Sequence, residues 1–403
     1  MKNLKPRPIN EYALGIYDGP HATPKETSDG PIFLGIKNFT EDGRLDFSEI
    51  RHVSEQEFPK WTRRVKPQSG DLVFTYEATL HRYAIIPEGF HGCLGRRVGL
   101  LRPDPSLADS RFLLYYFLSH GWRKVVESYL ICGATVDRIP LEKFPSFPAA
   151  LPHLPEQKLI ANVLSTYDDL IENNRRRMAL LEESARLLYR EWFVRLRFPG
   201  HEHTRVFDGV PEGWERKTGL EAFQVLSGGT PKTSVSGYWD GEIPFYTPKD
   251  ATNGIWVTDC ERTLTENGLK NCNSKLYPKE TVFISARGTV GKLNMAQRPM
   301  AMSQSCFALV GKDHLSQSFV YSAMQAAVDA LRQQAVGAVF DAIVIDTFKR
   351  INLLIPPPTI LGLFNDTVRP MFDQVENLTL QNQKLQTARD LLLPRLMSGQ
   401  ISL

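Results

Sequence analysis

Leu154-Pro155-Glu156-Gln157-Lys158-Leu159-Ile160-Ala161 opens the stretch on which the fold of this chain turns. Pro152 and Pro155 punctuate its start. Proline is tolerated where a helix begins but not in its interior, so the break marks an N-terminal boundary. Beyond it, seam positions fall at Ile160, Leu164, Tyr167, Ile171, Asn174, Met178, Leu181, Ala185, Leu188 and Trp192. Steps of four and three alternate without interruption, the spacing that keeps one stripe against a partner helix. At ~1.5 Å per residue the series is roughly 50 Å long.

A second Pro-rich break, Ile355-Pro356-Pro357-Pro358-Thr359, precedes the same rhythm. Its seam runs Phe364, Val368, Met371, Val375, Leu378, Asn382, Leu385, Arg389, Leu392 and Leu396. Asn174 and Asn382 interrupt the two stripes; a polar seam residue costs stability but can fix register and partner. Each helix carries a narrow stripe and a polar remainder, so pairing with one another is the economical arrangement. A whole domain lies between them, which leaves either orientation open. A two-fold-like arrangement of two copies favours antiparallel.

Outward from these helices the chain repeats itself. Ala22-Thr23-Pro24-Lys25 recurs as Gly229-Thr230-Pro231-Lys232, an offset of 207 at the lysine (232 − 25). Gly30-Pro31-Ile32-Phe33-Leu34-Gly35-Ile36-Lys37 resembles Gly241 to Lys249, and Lys66 to Phe74 parallels Tyr277 to Phe283. Gly133-Ala134-x-x-Asp137 matches Gly337-Ala338-x-x-Asp341, and Phe144 matches Phe348, both at an offset of 204 (348 − 144). The shared order carries the inference that the chain is a duplication with small insertions. In each copy β-branched runs alternate with Gly, Pro, Asn and Asp turns, a mixed α/β pattern. One helix per copy is expected late, near Arg111–Ser119 and near Ser318–Gln333.

At 403 residues the chain is too long for one ordinary core. No run approaches the ~18 apolar residues of a membrane span, and the N-terminus has no apolar core after its charges. Five cysteines without metal-ligand spacing argue for reduced thiols in a cytoplasmic protein. The net charge of +3 does not by itself establish nucleic-acid binding. Clusters such as Arg63-Arg64-x-Lys66, Arg96-Arg97 and Arg175-Arg176-Arg177 read either as solvated faces or as phosphate contacts.

Enzyme signatures fail on spacing. Gly288-Thr289-Val290-Gly291-Lys292-Leu293 has too few residues between its glycines for a phosphate loop, and Leu293 replaces the magnesium-holding hydroxyl. It reads as a turn that lets backbone approach a nucleic acid or ligand, or as a plain tight turn. His201-Glu202-His203 does not put two ligands on one helical face. No Pro-Pro-aromatic motif of an adenine methyltransferase is present. No catalytic residue, metal or cofactor is therefore assigned to this chain.

The helix and linker segments resemble the specificity (S) subunit of Type I restriction–modification systems. The residues that carry this are Leu154-Pro155-Glu156-Gln157-Lys158-x-Ile160-Ala161, Leu180-Leu181-Glu182 and Tyr189-Arg190-Glu191-Trp192-Phe193-Val194. They continue in Phe198-Pro199-Gly200-His201, Pro211-Glu212-Gly213-Trp214 and Leu393-Pro394-Arg395-Leu396-Met397-Ser398-Gly399-Gln400-Ile401. The second helix departs by starting Pro358-Thr359 without the Pro-Glu-Gln triplet. The resemblance implies an α+β chain with two similar target-recognition domains (residues 1–150 and 198–355). Two long antiparallel coiled-coil helices (151–197 and 356–403) separate them, in a pseudo-two-fold internal repeat. It implies that each domain reads half of a bipartite double-stranded DNA site while the helices set the gap. The implied partners are two methyltransferase subunits, which carry S-adenosylmethionine, and restriction subunits with motor and nuclease activity.

Loop residues with mixed donors beside glycine are the expected DNA contacts. In the first copy these are Lys25, Lys37, Asn38, Tyr76, Thr79, His81, Arg82 and Arg96. In the second they are Lys232, Thr233, Lys249, Asp250, Arg287, Thr289, Lys292 and Gln304. Each also has the reading of an ordinary surface residue, and Tyr76 that of a core residue. Two other readings compete for the whole chain. One is a coiled-coil scaffold without DNA binding, the other an enzyme with an unrecognised site.

Overall fold

The computed structural model describes residues 4–131, 133, 136–334, 342–401 and 403. Gly337 and Asp341, half of one repeated motif, lie outside the described residues. The chain divides into two compact units, residues 1–170 with 385–403 and residues 171–384. Each holds a mixed α/β domain together with segments of both long helices.

In the first unit the strands of the two larger sheets are β1 (Ala13–Asp18), β2 (Thr27–Leu34), β3 (Arg51–His52), β4 (Leu72–Thr75), β5 (Tyr83–Ile85), β6 (Gly92–Leu94) and β7 (Val98–Pro103). Four of them form an antiparallel sheet in the order β1-β7-β4-β5. The other three form a sheet in the order β3-β2-β6, in which β2 and β6 run parallel. Leu72-Val73-Phe74-Thr75 is buried at every position, as a β-branched and aromatic run must be when both of its faces are covered. Helix α1 (Ser110–Leu118) falls where one helix is expected, started by Asp109, whose side chain accepts the Phe112 N–H at 2.9 Å. A further helix, α2 (His120–Tyr129), follows directly, its Ser119 cap re-initiating the turn.

Helix α3 (Leu154–Tyr189) starts at the Pro-rich break. Gln157 explains part of that motif. Its buried amide accepts the Asp109 N–H at 3.0 Å and donates to the Leu107 and Pro152 carbonyls at 2.9 and 2.8 Å. The start of the long helix is thereby tied to the start of α1.

The second unit repeats this plan. The strands of its two larger sheets are β8 (Phe223–Ser227), β9 (Trp239–Tyr246), β10 (Trp256–Val257), β11 (Thr263–Leu264), β12 (Val282–Ser285), β13 (Leu293–Ala296), β14 (Ala301–Met302) and β15 (Cys306–Gly311). The sheets are ordered β8-β15-β12-β13-β10 and β11-β9-β14, with β9 and β14 parallel. Every strand of the first unit's two larger sheets has a counterpart in these sheets, to which β10 is added. Helix α4 (Gln317–Gln334) matches the second expected helix, and α5 (Pro358–Met397) begins at the last of the three prolines. It runs on through Pro370 and Pro394, each of which removes one backbone donor from the helix.

The seams are where the periodicity puts them. In the first unit Ile160, Ala161, Leu164 and Leu396 belong to one core with α1 and α2. In the second, Ala185, Tyr189, Phe364, Val368 and Val375 belong to one core with β12 and α4. Residues that meet in this unit run in opposite order along the two helices: Asn174 with Asn382, Met178 with Thr379, and Phe193 with Phe364. One correction applies at the end of α3. From Ala185 the buried stripe steps by four to Tyr189 and then Phe193, rather than to Leu188 and Trp192, which are only partly buried, and a π-helical turn over Arg190–Val194 follows. Trp214 of the Pro-Glu-Gly-Trp segment closes over this end, 5.7 Å from Phe193 and 4.7 Å from Phe198 between ring centres.

Candidate nucleic-acid interface

A cleft opens in each unit at the end of the long strand of the three-stranded sheet. In the first it has a volume of about 370 Å³ and is bounded by Thr23, the turn after β2 (Lys37, Asn38), Glu49 and Arg51, and the segment after β6 (Arg96, Arg97). In the second it has about 430 Å³ and is bounded by Thr230, the turn after β9 (Lys249, Asp250), Glu261 and Arg262, Arg287 and Ser305. Lys37 and Lys249, Asn38 and Asp250, and Glu49 and Glu261 are separated by one offset of 212 (249 − 37). The duplication has built one cleft twice.

The same device shapes both turns. Asn38 Oδ1 accepts the Gly35 N–H at 2.9 Å, and its Nδ2 donates to the carbonyls of Asp46 and Glu49, both at 3.0 Å. Asp250 Oδ2 accepts the Thr247 N–H at 2.8 Å, and Oδ1 accepts the Glu261 N–H at 2.7 Å. Both side chains are committed inward, and Asn38 is buried. They hold the turns that present Lys37 and Lys249, rather than offering donors of their own.

Charge in the clefts is not balanced. Arg51 pairs with Glu26 at 3.2 Å, and Arg97 lies 3.0 Å from Glu77 without hydrogen-bond alignment. Arg262 is laid over the Trp239 ring, 3.3 Å from its centre. Lys37, Arg96, Lys249 and Arg287 are exposed and have no carboxylate partner among the described residues. Concave surface lined by uncompensated cations is the electrostatic footprint of a polyanion site.

A family model described as the Type I restriction modification DNA specificity domain matches residues 30–183 and 211–387, one match per copy. The chain belongs to the Type I restriction–modification DNA-specificity family. The specificity subunit of Type I restriction enzyme MjaIX from Methanocaldococcus jannaschii is 25% identical over 407 residues, covering 98% of this chain and 88% of its own. That of the HindI enzyme from Haemophilus influenzae is 22% identical, covering 75% and 80%. A crystal structure of the S subunit from M. genitalium shares the fold, with a TM-score of 0.58 at 17% identity over 98% of this chain and 97% of its own.

In this specificity-family chain the remaining expected contacts divide by environment. Lys25, Lys232 and Thr233 are exposed on the segments that carry Thr23 and Thr230. Thr289 donates to the Pro248 carbonyl at 3.0 Å beside Lys249, and Gln304 accepts the Thr230 hydroxyl. Tyr76 is a core residue: it is 5% exposed, its hydroxyl donates to the Arg96 carbonyl at 2.7 Å, and burial pushes its pKa up to about 12. It supports the cleft from beneath. His81 faces Glu127 of α2, Arg82 pairs with Glu41, and Lys292 is bonded to Asn253 in a smaller polar recess of about 150 Å³ with Arg332. Thr79 is half-buried in the turn between β4 and β5.

Sequence reasoning missed Thr23, Arg97, Thr230 and Arg262, which line the clefts beside the expected lysines. Thr23 and Thr230 stood in the repeated Thr-Pro-Lys motif and were legible there. The turn from Gly288 to Lys292 has positive φ at Gly288 and Gly291 (80° and 78°) and connects β12 to β13. Such a backbone needs glycine, and it sets Arg287 at the cleft mouth. Among the described residues no group of three acidic, histidine or cysteine side chains is placed to hold a metal ion, and no helix is long and apolar enough to cross a membrane.

Proposed function

We propose that this chain is the sequence-specific DNA-recognition subunit of a Type I restriction–modification complex, each unit reading one half of a bipartite site through its cleft. One observation carries this reading: a chain of the DNA-specificity family holds two equivalent clefts, each with cations that form no ion pair among the described residues. Cations at fixed positions locate the phosphate backbone, while side chains between them reach base edges.

The finer reading concerns the helices. α3 and α5 form an antiparallel coiled coil whose roughly 50 Å seam sets the unread gap, on the order of one helical turn of duplex or slightly more. The opposite order of the residues that meet within the second unit supports it. The outer helix faces dock two methyltransferase subunits, which bring S-adenosylmethionine and methylate adenine, and restriction subunits join them. This chain contributes no catalytic group and works in the cytoplasm, where its DNA is.

Sequencing methylated adenines in cells with and without the gene tests the proposal. A two-part motif should vanish on deletion. Exchanging residues 1–150 for those of a relative should alter one half of the motif and spare the other. An unchanged pattern of methylation after deletion overturns the assignment.

A further inference from the structure

The two clefts share a frame but differ on one wall. The parallel registers set the correspondence: Leu34 pairs with Leu94 as Tyr246 does with Met302. The Tyr76 N–H donates to the Arg97 carbonyl at 3.2 Å, and the Ala286 N–H donates to the Ser305 carbonyl at 2.8 Å. Arg96 is therefore matched by Gln304, Arg97 by Ser305, and Glu77 by Arg287.

This exchange moves the free guanidinium. In the first cleft Glu77 sits against Arg97, and Arg96 is left without a carboxylate among the described residues. In the second, an arginine stands at the glutamate's place and a serine at its partner's, so the free group is Arg287. The other arginines of the walls are occupied, Arg51 by Glu26 and Arg262 by the Trp239 ring. Among the described residues each cleft thus offers one planar fork without an ion-pair partner, at different positions, in a cleft that also holds a lysine at the equivalent place.

The logic of a bipartite site separates these roles. Its two halves have the same sugar–phosphate backbone but different bases. Groups that the clefts share suit the backbone, and groups that differ suit the bases. A guanidinium matches the O6 and N7 acceptors of guanine with two parallel hydrogen bonds, which an ammonium or a single amide does less well.

We propose that Arg96 and Arg287 each read a guanine, one in each half of the site, and that Lys37 and Lys249 hold the phosphates. The proposal rests on the DNA-reading assignment above. All four side chains are exposed, so their substitution does not disturb the core.

The test uses the full chain with its methyltransferase partner in cells, with methylated-adenine sequencing as readout. Arg96→Gln should relax one G·C pair in one half of the motif, with discrimination there falling roughly tenfold to a hundredfold. Arg287→Gln should do the same in the other half. Lys37→Ala and Lys249→Ala should lower methylation at every site and leave the motif intact. An arginine variant that keeps the motif, or weakens all sites evenly, overturns the proposal, as does a parent motif with no G·C pair in one of its specified halves. A parent with no bipartite motif at all removes the DNA-reading assignment, and this proposal with it.

Discussion

Asn174 Nδ2 donates to Asn382 Oδ1 at 2.9 Å, and both side chains are buried in the seam between α3 and α5. The Asn382 amide also donates to the Ile171 carbonyl at 3.4 Å. An amide facing an amide satisfies both partners only in one register. Slipping either helix by a turn leaves two buried polar groups against apolar seam residues such as Ile171, Met178, Leu378 and Leu385.

Asn174→Leu should therefore destabilise the chain by roughly 1–3 kcal/mol, because it strands the buried Asn382 Oδ1. The double variant Asn174→Leu/Asn382→Leu should recover most of that loss, since two apolar groups replace two satisfied ones. Urea unfolding of the four proteins in the cycle checks this. Losses that simply add would show that the two amides act separately.

A second polar lock lies in the first unit. Arg389 pairs with Asp168, whose other carboxylate oxygen accepts the Tyr115 hydroxyl. The arginine side chain is 11% exposed and the aspartate 30%, so the pair is largely shielded from water. Arg389→Met keeps the bulk and removes the charge, and it should cost about 2 kcal/mol of stability. A midpoint of unfolding unchanged within error would mean that solvent already carries the charge of Asp168.

His81 gives the first unit an acid-sensitive point. Burial, and after it the Arg123 guanidinium, hold its imidazole below the ordinary value, against the pull of Glu127. The unfolded chain then binds more protons below neutrality, so stability declines as pH falls through about 6.5 toward the folded value. His81 has a left-handed backbone (φ 59°), a conformation that asparagine accepts. His81→Asn should lose less stability between pH ~7 and ~5 than the parent. Parallel stability profiles for the two proteins would rule out the histidine as the source.

The spacer predicts a change of gap. One helical turn inserted after Arg177, with a matching turn beside Thr379 on the facing helix, lengthens the seam by ~5.4 Å. The unread segment should grow by about 1–2 base pairs, at ~3.4 Å each, with both half-sites unaltered. Methylated-adenine sequencing that returns the parental gap would contradict a ruler role for α3 and α5.

Much of the architecture was legible because it is written in local pattern. The four-three spacing from Ile160 and from Phe364 located both helices, and the recurrence of Thr-Pro-Lys located both domains. What failed was also local in origin. Asn38 and Tyr76 look like loop donors in the chain, yet their partners, Glu49 and the Arg96 carbonyl, come from other segments. At the end of α3 the four-three alternation points to Leu188 and Trp192, each one residue before the buried Tyr189 and Phe193, because both members of each pair are apolar and spacing alone does not choose between them.

The sequence alone determined that two copies of one domain alternate with two amphipathic helices, because periodicity and repetition depend only on neighbours along the chain. The tertiary structure decided which cations are free. Arg97 is neutralised from β4's end by Glu77, and Arg82 from a turn forty-one residues away by Glu41, while Arg96 and Arg287 pair with no acid among the described residues. Charge compensation is set by distance in space, and two residues far apart in the chain reveal that distance only after folding.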